Sequence, residues 1–383
     1  MVKYEDKIQF REAWLEISYR QNNINVPSVS DIVEDIRKLV ASGKTKIIFD
    51  CSGESLLLSV LKIIHIIVDK LPEIDTKDIF YITSALNGQE AYDQYTDSIN
   101  RTTRKINILS RSTFESSILG WLETMPCRDS DNIPKENPFT YKLGLKEKNF
   151  VFLNRIMRGH RLKLITKIIK NGLIDKCFCS AGYPEDWKER LSWLVSDHPE
   201  IKDEVEEILK ITKILPLKLN MSSERDNPID LLYDDIYYHT NSYFSLVTET
   251  QFYNNSTTKL QYFSKSNCVD NTVFLTEKIF RPIAFKHPFV LCCTSGSLEQ
   301  LRKLGYKTFH PYIDETYDTI IDDEERLEAV YKETERLCSF TDEQWLEWQL
   351  NITSIIEYNY LVLISKTPKD TAITKNIDEL FDR

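Results

Sequence analysis

Lys46-Ile-Ile-Phe-Asp50-Cys-Ser-Gly53 carries the apolar, β-forming run Ile47 to Phe49, then an acid and a tight turn. A run of this kind is a short buried strand that ends in a turn. The residues behind it, from Glu54 to about Leu71, carry the apolar content of a helix. Asp78-Ile-Phe-Tyr-Ile-Thr83 and Lys105-Ile-Asn-Ile-Leu-Ser110 are further strands. Upstream, Ser30 precedes Ile32, Ile36, Leu39 and Val40 at helical spacing and marks a helix start. It lacks a full capping box, because Val33 stands three positions on. Strands separated by helical segments pair in parallel through crossover connections, which predicts an open α/β sheet.

The second half repeats the alternation. Asn149-Phe-Val-Phe-Leu153 reads as a strand, and Arg158 to Asn171 as a helix closed by Gly172. Tyr243-Phe-Ser-Leu-Val247 and Pro288-Phe-Val-Leu-Cys292 are strands, and Ser297 is expected to cap a helix that Gly305 ends. Two long helices follow, roughly 323–338 and 342–362. Between the halves, Asp129 to Lys148 turns polar and holds Pro134 and Pro138, a linker composition. The expected organisation is two Rossmann-like α/β domains, 1–140 and 141–383, with helices at the C-terminal end.

The hydrophobic fraction of 42% and the charged fraction of 28% are those of a folded chain, which excludes intrinsic disorder. A net charge of −10 disfavours sequence-independent nucleic-acid binding. Met1-Val-Lys-Tyr-Glu-Asp-Lys7 lacks the pattern of a signal peptide. The longest apolar stretch, Leu56 to Val68, is interrupted by Lys62 and His65. It falls short of the ~20 residues that cross a bilayer, so no membrane span is expected. The eight cysteines show no paired metal-ligand spacing and mostly have apolar neighbours, which argues for buried thiols and a reducing, cytoplasmic setting. The glycosylation sequons, at Asn100, Asn220, Asn254, Asn255 and Asn351, are what an Asn- and Thr-rich chain produces by chance.

Three stretches of the second half could hold a phosphorylated ligand. The first is Asn154-Arg155-Ile-Met-Arg158-Gly-His160-Arg161, where a strand gives way to a helix. That junction is where open α/β sheets bind ligands. Its four potential cations oppose the helix dipole, so an anionic partner is favoured over a solvated helix start. The second is Ser245-Leu-Val-Thr-Glu249-Thr250, with a carboxylate at the end of an apolar strand. It needs either a ligand's hydroxyls or an internal salt bridge or helix cap. The third is Phe274-Leu-Thr276-Glu277-Lys278-Ile-Phe-Arg281-Pro282. Here Thr276 suits an N-cap, Glu277 the first turn, and Lys278 the helix entrance, while Pro282 predicts a kink or break.

Taken in order, these stretches resemble the donor-binding half of the fucosyltransferase-like enzymes, family ten of the glycosyltransferases. The resemblance lies in Asn154 with an Arg seven positions later, in Tyr243-Phe-Ser-Leu-Val-Thr-Glu249, and in Phe274-Leu-Thr-Glu277-Lys278-Ile leading to Pro288-Phe-Val290. Phe309-His-Pro-Tyr-Ile-Asp314-Glu315 is similar to the family's later aromatic-acidic stretch. The match covers roughly residues 150–320. Phe274 stands where the family has Tyr, and a Thr-, Asn- and Ser-rich insert separates Glu249 from Phe274.

The resemblance implies a GT-B fold with a deep interdomain cleft, and a GDP- or UDP-linked sugar bound mainly by the second domain. It implies an inverting, metal-independent single displacement with no cofactor. Arg161 and Lys278 would contact the diphosphate, and Glu249 and Glu277 would hold hydroxyls of the ribose or sugar. Asn154, Arg155, Arg158, Phe274 and Thr276 complete the donor set. The acceptor would be a glycan or another hydroxylated molecule.

A general base must come from elsewhere, as a carboxylate able to deprotonate the acceptor. Asp50 and Glu54 flank the first turn at a strand's carboxyl end, and Glu90 and Glu115 are rivals. Competing readings are a metal site at Asp129-Ser-Asp131 or Asp234-Asp235, a non-catalytic sugar-nucleotide-binding protein, and a transferase acting on hydroxylated DNA bases.

Overall fold

The computed structural model describes residues 9–10, 29–41, 46–124, 141–154, 157–182, 202–212, 217, 236–254 and 268–366. They divide into two compact α/β units. One comprises the described residues up to 113 together with 268–275, and the other those of 114–254 and 276–366. Among the described residues no helix is long and apolar enough to cross a membrane.

In the first unit, β1 (Gln9–Phe10), β2 (Ile47–Cys51), β3 (Ile79–Thr83) and β4 (Asn107–Ser110) form a parallel sheet in that order. The helices are α1 (Val29–Ala41), α2 (Leu58–Asp69) and α3 (Gly88–Ser98). All five residues of β3 are buried, as expected for a strand covered on both faces. Ile32, Val33 and Ile36 of α1 and Leu61, Ile64 and Val68 of α2 complete the core. Gly88 is required where α3 begins. A Cβ there would lie 2.9 Å from Ile108 Cγ2 and 3.1 Å from Thr83 Cγ2, so only glycine lets the helix approach β3 and β4.

The helix predicted from Glu54 starts four residues later, at Leu58. The backbone of 54–57 is engaged elsewhere. The Glu54 carbonyl accepts from Ser84 N, the Leu56 carbonyl accepts from Val269 N, and Leu57 bridges to Cys268. Residues 268–275 also give the Val273 carbonyl to Leu86 N, and Val273 N–H donates to Asn87 Oδ1. These long-range hydrogen bonds override local helix propensity.

In the second unit, β5 (Lys148–Asn154), β6 (Cys177–Ala181), β7 (Ser242–Thr248) and β8 (Phe289–Cys292) are parallel in the order β6-β5-β7-β8. Around them lie α4 (Thr113–Thr124), α5 (Gly159–Lys170), α6 (Lys202–Thr212), α7 (Glu277–Ala284), α8 (Ser297–Lys303), α9 (Asp323–Leu337) and α10 (Asp342–Ser365). Helix α5 packs against α6 and α9, and α7 against α10. Gly172 takes φ +70° just past α5, in the capping role expected of it. The two terminal helices are α9 and α10; α10 carries a capping box formed by Thr341 and Gln344.

One local expectation is corrected and another is narrowed. Ser297 is the first helical residue of α8 rather than its cap. The exposed amides of that helix are taken by Asp318, whose carboxylate accepts from Leu298 N at 2.9 Å and Glu299 N at 3.3 Å. Pro282 does not break α7, which runs on to Ala284. A proline forfeits one bond to the residue four back, and bonding resumes at once, with Phe285 N donating to Arg281 O at 3.0 Å.

The chain starts the second sheet at β5, adds β6 on one side, then crosses to add β7 and β8 on the other. Connections leaving β5 and β7 therefore diverge, and a crevice opens beyond the carboxyl ends of those two strands.

A buried histidine makes the first unit sensitive to acid. His65 is 6% exposed and its Nε2 lies 3.0 Å from Tyr92 Oη. Burial, then the Arg101 guanidinium, hold its pKa down at about 4. The folded state keeps this imidazole neutral, whereas the unfolded chain protonates it below roughly 6.5. Its contribution to stability is therefore complete above that value and is lost as pH falls towards about 4. Substituting His65→Gln is expected to remove up to about 3 kcal/mol of the acid-side loss. Urea unfolding at pH 7 and pH 4.5 checks this, and equal acid sensitivity in both proteins contradicts it.

Candidate functional site

The site is built where β7 meets the start of α7. Glu249 follows β7 directly and extends its ladder, with its N–H donating to Cys292 O at 3.0 Å. Its side chain has no solvent exposure. A buried carboxylate must find donors, and Thr276 supplies two: its N–H to Oε1 at 2.9 Å and its hydroxyl to Oε2 at 2.6 Å. Thr250 N adds a weaker contact at 3.3 Å. Burial raises the Glu249 pKa, against the opposing pull of Lys278 and Thr276.

Thr276 is in turn the N-cap of α7, with extended backbone and its hydroxyl oxygen accepting from Lys278 N. Of the two readings open for Glu249 in the sequence, this geometry makes it an internal partner of a helix cap.

The strand-to-helix junction after β5 reaches the same place. Asn154, the last residue of β5, accepts from the Thr248 hydroxyl at 2.6 Å through Oδ1. Its amide nitrogen is buried without a hydrogen-bond partner. Turning the amide over would leave the oxygen in that state instead. Arg158 is the N-cap of α5. Arg161, 3% exposed, directs Nη2 to the carbonyls of Thr248 at 2.8 Å and Glu249 at 3.0 Å. Burial, then the neighbouring Arg158, lower its pKa to about 10, while Glu249 works the other way.

His160 Nε2 lies 3.0 Å from the Glu249 carbonyl and so must donate to it, which leaves Nδ1 as the unprotonated nitrogen. The ring stacks on Phe252 with centroids 5.0 Å apart. Burial, then Arg161 and Arg158, hold its pKa well below the ordinary value. His160 is therefore neutral, and the expectation that it serves as a cation is corrected.

The ammonium of Lys278 sits among Glu277 Oε1 and Thr276 Oγ1, both at 2.9 Å, and Thr250 Oγ1 at 3.3 Å, with Glu249 Oε2 at 4.0 Å. Glu277 is 38% exposed. Burial pushes its pKa up, but Lys278 and Arg281 outweigh this and hold it below the usual carboxylate range. It is thus ionised and reachable at neutral pH. Lys278 and Arg281, one helical turn apart, line a pocket of ≈ 380 Å³, open mouth included, with Thr248, Ser245, His239 and the apolar Val151, Leu153 and Pro282.

Arg161 and Lys278 act electrostatically on both Glu249 and Glu277, and Arg281 acts on Glu277. Guanidinium and ammonium groups are the chemistry that recognises an anion such as a diphosphate.

Asn154, Arg161, Glu249, Thr276, Glu277 and Lys278 are thus brought into one hydrogen-bonded network at the crevice edge of the second sheet. Arg155 lies outside the described residues, as do Asp129, Asp131, Asp234 and Asp235. Phe274 is 5% exposed and belongs to the first unit. Asp50 also lies there, its Oδ1 accepting from Ser52 N at 3.0 Å, and Glu54 and Glu90 are exposed. Glu115 falls in the second unit and is committed internally, accepting from Tyr306 Oη at 2.6 Å and from Lys366 Nζ.

Two contributors were not singled out from sequence. Thr248 was signalled only by a hydroxyl at the end of an apolar strand, and Arg281 only by its spacing of three from Lys278.

No protein-family model matches the chain, and no curated protein matches it. It is similar to the solved structure of a UDP-forming α,α-trehalose-phosphate synthase from Burkholderia xenovorans, with 13% identity and a TM-score of 0.37, over 88% of this chain and 70% of that one. A likeness of that extent carries no argument about activity.

If the Glu249–Thr276 contact holds this corner, Thr276→Ser should be nearly neutral, since it keeps the hydroxyl. Thr276→Val removes both the cap and a donor to a buried carboxylate, and is expected to cost about 1–3 kcal/mol. Urea denaturation of both variants checks this; equal stabilities would contradict the assignment.

Proposed function

We propose that the chain is a glycosyltransferase that takes a nucleotide-sugar donor, GDP- or UDP-linked, at this site and passes the sugar to a hydroxyl of a glycan or another hydroxylated molecule. The observation that carries this reading is that three stretches, in the order found in the fucosyltransferase-like enzymes, meet in one hydrogen-bonded network at the switch point of a parallel sheet.

Under this reading the donor's diphosphate meets the cluster of Arg158, Arg161 and Lys278, beside the N-terminus of α7. Glu277, ionised and part exposed, accepts hydrogen bonds from a hydroxyl of the ribose or sugar. Glu249 acts one step behind it, fixing Thr276 and hence the direction from which Lys278 enters. The chemistry is a single displacement with inversion. The acceptor oxygen attacks the anomeric carbon, the bond to the diphosphate breaks, and the cations stabilise the charge that develops on the leaving phosphate. The acceptor's proton passes to a carboxylate, for which Asp50 and Glu54 are the candidates.

A thermal-shift screen of sugar nucleotides tests the donor. The right one should raise the melting temperature through binding linkage, and with a suitable acceptor should release nucleoside diphosphate and a labelled glycoside. Lys278→Met should lower kcat/KM by about 10²–10³-fold, as loss of a transition-state charge contact does. Binding without turnover across a broad acceptor panel would instead mark a sugar-nucleotide-binding protein, and no binding by any sugar nucleotide would sink the proposal.

A further inference from the structure

The arginines of the first unit differ in what holds them. Arg37 bonds to Glu73 and the Lys70 carbonyl, Arg101 to both oxygens of Asp69, and Arg104 Nη2 to the carbonyls of Val68, Leu71 and Ile74. Arg111 is half-buried, and its backbone N–H donates to the Thr83 carbonyl at 2.7 Å. Among the described residues, however, its guanidinium has no hydrogen bond and no ion pair. Nε is out of water, whereas the two terminal nitrogens, equally unbonded, keep contact with solvent. Arg101 and Arg104 also leave Nε unpaired, but their terminal nitrogens are taken. A partly desolvated guanidinium without an acceptor is costly. Its planar fork of donors matches the paired oxygens of a carboxylate, phosphate or sulfate.

Position decides which molecule such an anion belongs to. Arg111 directly follows β4, at the carboxyl edge of the first sheet. The strand ends there are in register, with Cys51 beside Thr83 and Thr83 beside Ser110. Asp50 and Glu54, the candidate bases, lie at the end of β2, two strands away. At about 4.8 Å per strand, the ends of β2 and β4 are roughly 10 Å apart. One hydroxylated molecule can bridge that distance, with its reacting hydroxyl at the carboxylates and an anionic group at Arg111. The described strands follow one another as β1-β2-β3-β4 with no reversal of order. This edge therefore lacks the switch-point crevice in which a parallel sheet takes a nucleotide, and an open edge suits the acceptor instead.

We propose that the carboxyl edge of the first sheet is an acceptor site selective for acidic molecules, in which Arg111 binds a carboxylate, phosphate or sulfate group of the acceptor. This rests on the glycosyltransferase reading above and adds to it the chemical class of the acceptor. That class is a hydroxylated molecule, such as an acidic glycan, with its negative group roughly 10 Å from the hydroxyl that is modified. On a chain of net charge −10 an acidic acceptor is repelled at long range, so a dedicated cation is what lets it dock.

Arginine side-chain NMR on isotope-labelled protein reads this directly. The Nε–H signal of Arg111, assigned by its absence from Arg111→Gln, is followed as acetate, inorganic phosphate or sulfate is added, with chloride at equal ionic strength as the control. At least one of the three is expected to move it saturably while Arg37 and Arg101 stay unmoved, and the effective anion tells carboxylate, phosphate and sulfate acceptors apart. The response should persist with UDP or GDP present. In transfer assays with an acceptor carrying that group, Arg111→Gln should raise acceptor KM about ten- to a hundredfold, the loss of a charge-assisted contact, and leave donor KM unchanged. Arg111→Lys should lie between the two. No saturable response to any of the anions overturns the site, and so does an unchanged acceptor KM. Displacement of the anion by UDP or GDP assigns Arg111 to the nucleotide and overturns its acceptor role. If no sugar nucleotide binds while the anion response stays, the nucleotide-sugar reading fails and takes the acceptor role with it; if sugar nucleotides bind and the anions do not, only the acceptor proposal fails. Should Arg111→Gln not fold, Arg111→Lys supplies the assignment, and the response is still read on the wild type.

Discussion

The contact between the Glu249 carboxylate and the backbone and hydroxyl of Thr276 determines how the second unit arranges its charged groups. A carboxylate with no exposure is costly unless donors converge on it, and here both come from the residue that caps α7. That pairing sets the point at which α7 begins. From there the helix carries Glu277, Lys278 and Arg281 to fixed stations, with Lys278 and Arg281 on the pocket wall. The negative group beside the helix N-terminus is also favoured by the helix dipole.

The same constraint explains the opposite bank of the crevice. The carbonyls of Thr248 and Glu249 at the end of β7 are taken up by Arg161, and that of Glu249 also by His160. Cations at the start of α5 oppose its dipole, and Arg161 meets this by turning to carbonyl oxygens whose partial charge is negative. His160, between two arginines and out of water, stays neutral and serves as a donor to backbone. The result is a set of charged and polar groups fixed against the backbone at the end of β7.

How much of this was legible beforehand depends on how far each interaction reaches along the chain. Thr276 as N-cap, Glu277 in the first turn and Gly172 as the end of α5 are set within four residues and were read correctly. The start of α2 at Leu58 was not, because residues 54–57 bond to residues about 30 and 210 positions away, a reach that local propensity does not register. The cap on α8 was misplaced for the same reason: Asp318 reaches it from 20 residues downstream.

The sequence alone determined the character of the elements: alternating strands and helices, parallel pairing, and three polar stretches in a recognisable order. Those follow from periodicity and cap chemistry, which act over a few residues. Only the tertiary structure decided that β5 and β7 are neighbours at a switch point, because strand order is set by crossover packing. That order brings Asn154 to Thr248 across 94 residues and Glu249 to Thr276 across 27. It also decided which charges survive burial, since desolvation depends on what surrounds a group in space: it leaves His160 neutral and Glu277 ionised.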